Sequence, residues 1–138
     1  LGTRLTRITR ALRRRRRGQA LALASGLVAD WDGGTRLGDA LQAFLAVPRF
    51  AGFSRGALVV VLSDGLERGE PAALVDAMER LSRLAWGILW LNPLAASPDY
   101  APETSALRAV LPYIDRLADG SSAASLCREV LQFERRVA

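Results

Sequence analysis

A doubly wound α/β domain, with a mostly parallel sheet and helices on both faces, is the fold class this sequence predicts. Three observations lead there. GALVVVLSD (Gly56–Asp64) and GILWL (Gly87–Leu91) are apolar runs without alternation, the pattern of parallel strands covered on both faces. The segments around them carry apolar residues at helical spacing. Breakers separate the two kinds of segment: Asp32-Gly33-Gly34, Pro48, Pro71 and Asn92-Pro93. Strands alternating with helices make layered α/β structure.

In order along the chain, LGTRLTRI (Leu1–Ile8) reads as the end of a strand and a tight return. Arg10 to Trp31 is composed of helix formers, with Leu21, Ala24, Leu27 and Val28 on one stripe. After the Asp32-Gly33-Gly34 turn, Thr35 is placed to cap a helix whose stripe is Leu37, Leu41, Phe44 and Leu45. Pro48 is expected to end it. The Gly56–Asp64 strand and the loop LERGE follow, and Pro71 suits the first turn of the next helix. That helix should bury Leu74, Met78, Leu81 and Ala85 and pair Asp76 with Arg80 and Glu79 with Arg83 outside. Asn92-Pro93 stops the second strand, and LAASPDYAPE is a loop. Thr104–Leu111 reads as a short helix interrupted by Pro112, Tyr113–Leu117 as a third strand, and Ser121–Arg136 as the closing helix.

The 138 residues suit one domain with a real core, and 50% hydrophobic with 24% charged residues is a globular balance. No apolar stretch approaches the roughly 18–20 residues of a membrane span, and the N-terminus has no secretory pattern. A single cysteine, Cys127, excludes an internal disulfide, so a cytoplasmic setting is expected. Absent histidine removes Ser-His-Asp triads, HExxH zinc sites and Cys-His pairs. Every basic residue is arginine, which removes Schiff-base lysines and the Walker lysine.

Asp64 stands where a strand meets water, at the carboxyl end, where ligands gather in open α/β sheets. Taken alone, Asp64-Gly65 is more readily a simple strand-to-loop turn, and it is Gly33-Gly34-Thr35 upstream that turns the preference toward a working residue. Arg13–Arg17 could meet an anionic surface at about 1 kcal/mol per arginine. With a net charge of only +5 and no interleaved aromatics, a solvated helix start is the preferred reading over a nucleic-acid module. Trp86 and Trp90 are expected in the core, Trp31 at the rim of the Gly33-Gly34 loop, and Cys127 as a small buried residue. Glu67, Arg68 and Glu70 are read either as partner contacts or as solvated charge.

The order GGTRLGDAL (Gly33–Leu41), then VVVLSDGLERGEP (Val59–Pro71), then ILWLNPL (Ile88–Leu94), with LGTRLTRIT in front, resembles the CoxE-like branch of von Willebrand factor A (VWA) domains. The resemblance covers essentially the whole chain. It implies that Thr35 and Asp64 match the threonine and aspartate of the family's metal-ion-dependent adhesion site, with Mg²⁺ or another divalent cation as cofactor. The family's first metal-site segment, an Asp-x-Ser-x-Ser run, does not occur in these residues. A partial domain over 1–138, incomplete at its N-terminus, is therefore expected, with weak metal binding. The resemblance makes the absent strand central, beside the Asp64 strand, so a gap or two unpaired edges are expected, with either a non-native pairing or a marginally stable, association-prone chain. Mg²⁺ wants about six oxygens and keeps several as water, so one hydroxyl and one carboxylate hold it loosely.

The resemblance implies a non-enzymatic, metal-assisted protein–protein interaction domain in the cytoplasm of a bacterium. Its implied partners are a MoxR-type AAA+ ATPase and a metalloenzyme client of the carbon monoxide dehydrogenase kind, with no nucleic acid and no membrane span. The alternative is a magnesium-dependent phosphoryl-transfer enzyme of another doubly wound class using Asp64. The missing lysine and the absence of a second acidic residue beside Asp64 in the sequence speak against it.

Overall fold

Parallel pairing of three strands builds the core of the computed structural model, which describes residues 5–14, 16–27, 35–102 and 104–134. Strands β1 (Leu58–Leu62), β2 (Gly87–Asn92) and β3 (Arg116–Asp119) lie in the order β1-β2-β3. Leu62 is level with Leu91, and Asn92 with Asp119, so all three strands end at one rim. The helices are α1 (Thr9–Leu12), α2 (Arg17–Leu27), α3 (Leu37–Ala46), α4 (Pro48–Ser54), α5 (Pro71–Leu84), α6 (Ser105–Val110) and α7 (Ala123–Leu131). A 3₁₀ turn at Leu111–Tyr113 follows α6, where Pro112 cannot continue an α-helix.

Both faces of the sheet are covered. On one, Leu37 and Leu45 of α3, Leu74, Met78 and Leu81 of α5, and Leu107 and Val110 of α6 pack with Val61, Ile88 and Trp90. On the other, Phe133, Leu126 and Val130 pack with Leu89 and Leu91. This is the doubly wound arrangement that the two apolar runs predict. Every residue of β2 is buried, as a central parallel strand requires.

β1 departs from the expected cover on both faces. Val61 is buried, but Val60 and Leu62 are 40% and 54% exposed. They point to the second face, where Leu58 still packs into the cluster under α7 but the rest of β1 is left largely uncovered. Among the described residues β1 pairs only with β2, so its outer edge is open.

Several local expectations are corrected. Residues 5–8 form no strand, and Leu1–Arg4 lie outside the described residues. The single helix expected over Arg10–Trp31 is broken into α1 and α2 at the arginine run, where like charges crowd one turn. Val28, Trp31 and Gly33-Gly34 lie outside the described residues. Pro48 does not merely end α3; it opens α4, the position proline favours. Glu79 pairs with Arg83 on α5 as expected, while Asp76 and Arg80 stay exposed. Trp86, expected in the core, is 44% exposed and meets Phe133 edge-on, because it precedes β2 and only the strand itself is enclosed. Cys127 is exposed, since α7 turns Ser125 and Glu129 inward instead.

α3 crosses α5 at close range. A Cβ on Gly38 would lie 2.6 Å from the Leu74 amide nitrogen, so only glycine lets the two backbones approach this far.

Candidate functional site

The carboxyl end of β1 is clamped from its neighbour. The Ser63 amide still donates to the Leu91 carbonyl at 3.1 Å, extending the ladder one residue beyond Leu62. Two β2 side chains then hold the departing chain. Trp90 Nε1–H donates to the Ser63 carbonyl at 2.9 Å, and Asn92 Nδ2 donates to the Asp64 carbonyl at 3.2 Å. Asn92 is fully buried and also donates to Tyr100 Oη at 2.6 Å, while its Oδ1 accepts from the Leu94 amide at 2.8 Å. One amide thus ties the Asp64 loop to the loop after β2.

Gly65 makes the turn. Its φ of +82° lies in the region that penalises a side chain, and a Cβ there would sit 3.0 Å from Leu107 Cβ. The Thr104 hydroxyl donates to the Gly65 carbonyl at 2.9 Å and accepts from the Leu107 amide at 3.2 Å, capping α6 while bracing the turn. Past the turn, Asp64 is left half-buried with Oδ1 accepting from the Leu66 amide at 3.0 Å.

The same loop reaches the start of α3. Glu67 Oε2 accepts from the Gly38 amide at 2.9 Å and its Oε1 from the Gly69 amide at 2.7 Å. The Arg68 amide donates to the Thr35 carbonyl at 3.0 Å. The structure therefore brings the backbone at Thr35 against the loop that begins at Asp64. The expected capping role of Thr35 is corrected: Arg36 is the residue preceding the helix, no side chain of its own caps it, and Glu67 supplies the acceptor instead. A carboxylate at a helix N-terminus also meets the positive end of its dipole.

Asp64 lines a cleft of about 380 Å³ together with Ser97, Asp99, Tyr100 and Thr104; Thr35 does not line it. Sequence reasoning passed over Asp99, read Asn92 only as a strand stop, and read Glu67 as a partner contact or solvated charge, whereas it caps α3. Asn92 could have been found as a buried amide at a strand end before proline, but the other two are paired with the site only by folding. At the end of β3, Asp119 Oδ1 accepts from the Ser121 amide at 2.8 Å. Hydrogen bonds from the Ser121 hydroxyl and amide hold its carboxyl below the usual value of 3.8.

Among the described residues no three His, Cys, Asp or Glu side chains gather as a metal cluster. Glu67 is the next carboxylate along the loop from Asp64, and its two oxygens already accept from backbone amides. The two expected ligands are linked among the described residues only through backbone, by the Arg68 amide on the Thr35 carbonyl, and the Asp64 cleft is lined without Thr35.

No curated protein and no solved structure matches the chain. The family model described as "VWA domain containing CoxE-like protein" matches residues 1–126. With that match running from the first residue through all three strands and into α7, the chain belongs to the VWA domain-containing CoxE-like family.

Proposed function

We propose that this VWA domain is a non-catalytic protein-interaction module whose contact rim is Asp64 with Thr35, assisted by Mg²⁺ or a related divalent cation. Its partners would be a MoxR-type AAA+ ATPase and a metalloenzyme client of the carbon monoxide dehydrogenase kind, in the bacterial cytoplasm. The observation that supports this reading is the presentation of Asp64. Its backbone is fixed by Asn92, Trp90 and Thr104 through the adjoining residues, while its carboxylate stays half-exposed at the strand ends. A rigidly held, accessible carboxylate suits a contact that must recognise its partner without reorganising.

A bound dication at this rim would supply positive charge to accept a carboxylate from the partner. The chain's own residues do the rest. Asp64 carries the negative charge, the Thr35 hydroxyl adds an oxygen, and Glu67 holds the α3 end against the loop. With two ligand side chains, calorimetry on residues 1–138 should find magnesium binding no tighter than millimolar. Binding to the ATPase should depend on magnesium and fall with Asp64→Ala and Thr35→Val. Tight magnesium binding by this chain, or ATPase binding indifferent to chelator and to Asp64→Ala, would overturn the reading.

One observation favours the phosphoryl-transfer alternative: Asp99 lines the same cleft as Asp64. Magnesium-dependent hydrolysis of a phosphate ester, abolished by Asp64→Asn, would establish it instead.

A further inference from the structure

We infer that the α1–α2 pair is a docking face for an acidic, leucine-bearing amphipathic helix of a partner protein, separate from the Asp64 rim. α2 is RGQALALASGL, apolar nearly all round, yet none of its residues is buried. Leu21, Leu23 and Leu27 are 70%, 47% and 51% exposed. A helix apolar on every side normally lies inside a structure. Here α1 is the element packed against it among the described residues, and its leucines stay exposed.

The charge beside it selects the cover. The first 27 residues hold eight arginines and no acid, while the remaining 111 carry a net charge of −3. Arg10, Arg13, Arg14, Arg16 and Arg17 are all exposed, and none of the ion pairs among the described residues uses them. A groove of about 460 Å³ runs between the helices, with Arg10 and Arg14 on one side and Ala22, Leu23, Gly26 and Leu27 on the other. Leucines of an incoming helix fill that groove, and its carboxylates meet the arginines at the edge. The 11 residues of α2 span about 16 Å, room for three turns of partner helix.

Other anionic surfaces fit less well. A helix lying on a membrane needs one apolar face opposed to one charged face. α2 has no such division, and its groove is concave. Nucleic-acid strands bind through aromatic stacking as well as charge, and residues 5–27 contain no aromatic side chain.

The probe is a fluorescein-labelled peptide of about 18 residues, with leucine at i, i+3, i+4 and i+7 spacing and glutamate elsewhere. Its control is a scrambled peptide of identical composition. The intact chain should bind the amphipathic peptide and not the scrambled one, with affinity falling as salt rises. The double variant Arg10→Glu/Arg14→Glu should weaken binding about tenfold or more. Gly26→Trp should do the same by occupying the groove. A Cβ at Gly26 meets nothing within 4 Å, so that variant should keep its thermal transition. Asp64→Ala should leave peptide binding unchanged, which separates this face from the proposed metal rim. Equal binding of the scrambled peptide would overturn the proposal. So would tighter binding of equimolar phosphatidylserine–phosphatidylcholine vesicles or of a short DNA duplex. A concentration-dependent dimer in sedimentation that Gly26→Trp abolishes would assign the groove to a second copy of this chain and overturn it as well.

Discussion

Glu67 caps a helix from a different part of the chain. It lies 29 residues after Gly38, whose amide it accepts, and its other oxygen closes its own loop on Gly69. Removing the carboxylate should cost about 1–2 kcal/mol, the range of a lost cap plus one orphaned amide. Urea denaturation of Glu67→Ala measures this. Asp64 has the opposite profile. Among the described residues its carboxylate accepts only the Leu66 amide and is half-exposed, so Asp64→Ala should shift stability by less than about 1 kcal/mol. A residue cheap to remove for the fold and costly for binding is what a contact rim requires. Asp119 adds a pH dependence whose sign follows from its lowered carboxyl. Its ionised form supports the fold above the usual value of 3.8, and that support fades as pH falls through the lowered value. The urea midpoints of the wild type and Asp119→Asn should therefore differ near neutrality and converge once the pH has fallen below the lowered value.

Among the elements, α5 was the most legible. Its proline at the first turn and its Leu74, Met78, Leu81 stripe appear in the structure where periodicity places them. Both signals are local, so no tertiary contact can reverse them. The closing helix was read too long: α7 spans Ala123–Leu131, and its start is a reciprocal cap between Ser122 and Ser125. Its buried Glu129 approaches Arg116 Nη2 at 2.6 Å in an ion pair that reaches across to β3. No helical stripe announces that pairing. α3 met α5 through Gly38, a glycine that looks like a helix weakness in sequence. Gly38→Ala would gain local helix propensity, yet its Cβ would strike backbone that cannot rotate away. The overpacking should dominate, destabilising the protein by about 1–3 kcal/mol. A midpoint raised by this substitution would show that α3 and α5 can part more easily than their contact suggests.

At the scale of the whole molecule, the open edge of β1 governs behaviour. LVVVL carries no charge and no proline, and Val60 and Leu62 are exposed beside unpaired backbone. Such an edge templates pairing with other chains. Val60→Lys should delay the onset of concentration-dependent light scattering on heating, because a charge on an edge strand opposes further strand addition. Unchanged scattering would locate the association elsewhere, with the uncovered α2 the next surface to test. Net charge distribution belongs to this scale too. The arginine-rich front and the mildly acidic remainder make one molecule with two electrostatic characters, each beside a different candidate contact surface.

The α/β class, the first two strands, the helix after Pro71 and the family were readable from the sequence, because each rests on residues adjacent in the chain. The third strand was not: it lies at Arg116–Asp119, and Tyr113, expected to open it, falls in the 3₁₀ turn. Hydrophobic period and breaker residues act over a few positions, so they carry where an element forms but not whether its apolar face is covered, as the unburied stripe of α2 shows. The exposure of Val60, the inward Glu129, the Asn92 bridge and the Glu67 cap were decided only by the tertiary structure. Each depends on which distant segment arrives opposite a side chain, and burial and hydrogen-bond satisfaction are properties of that meeting.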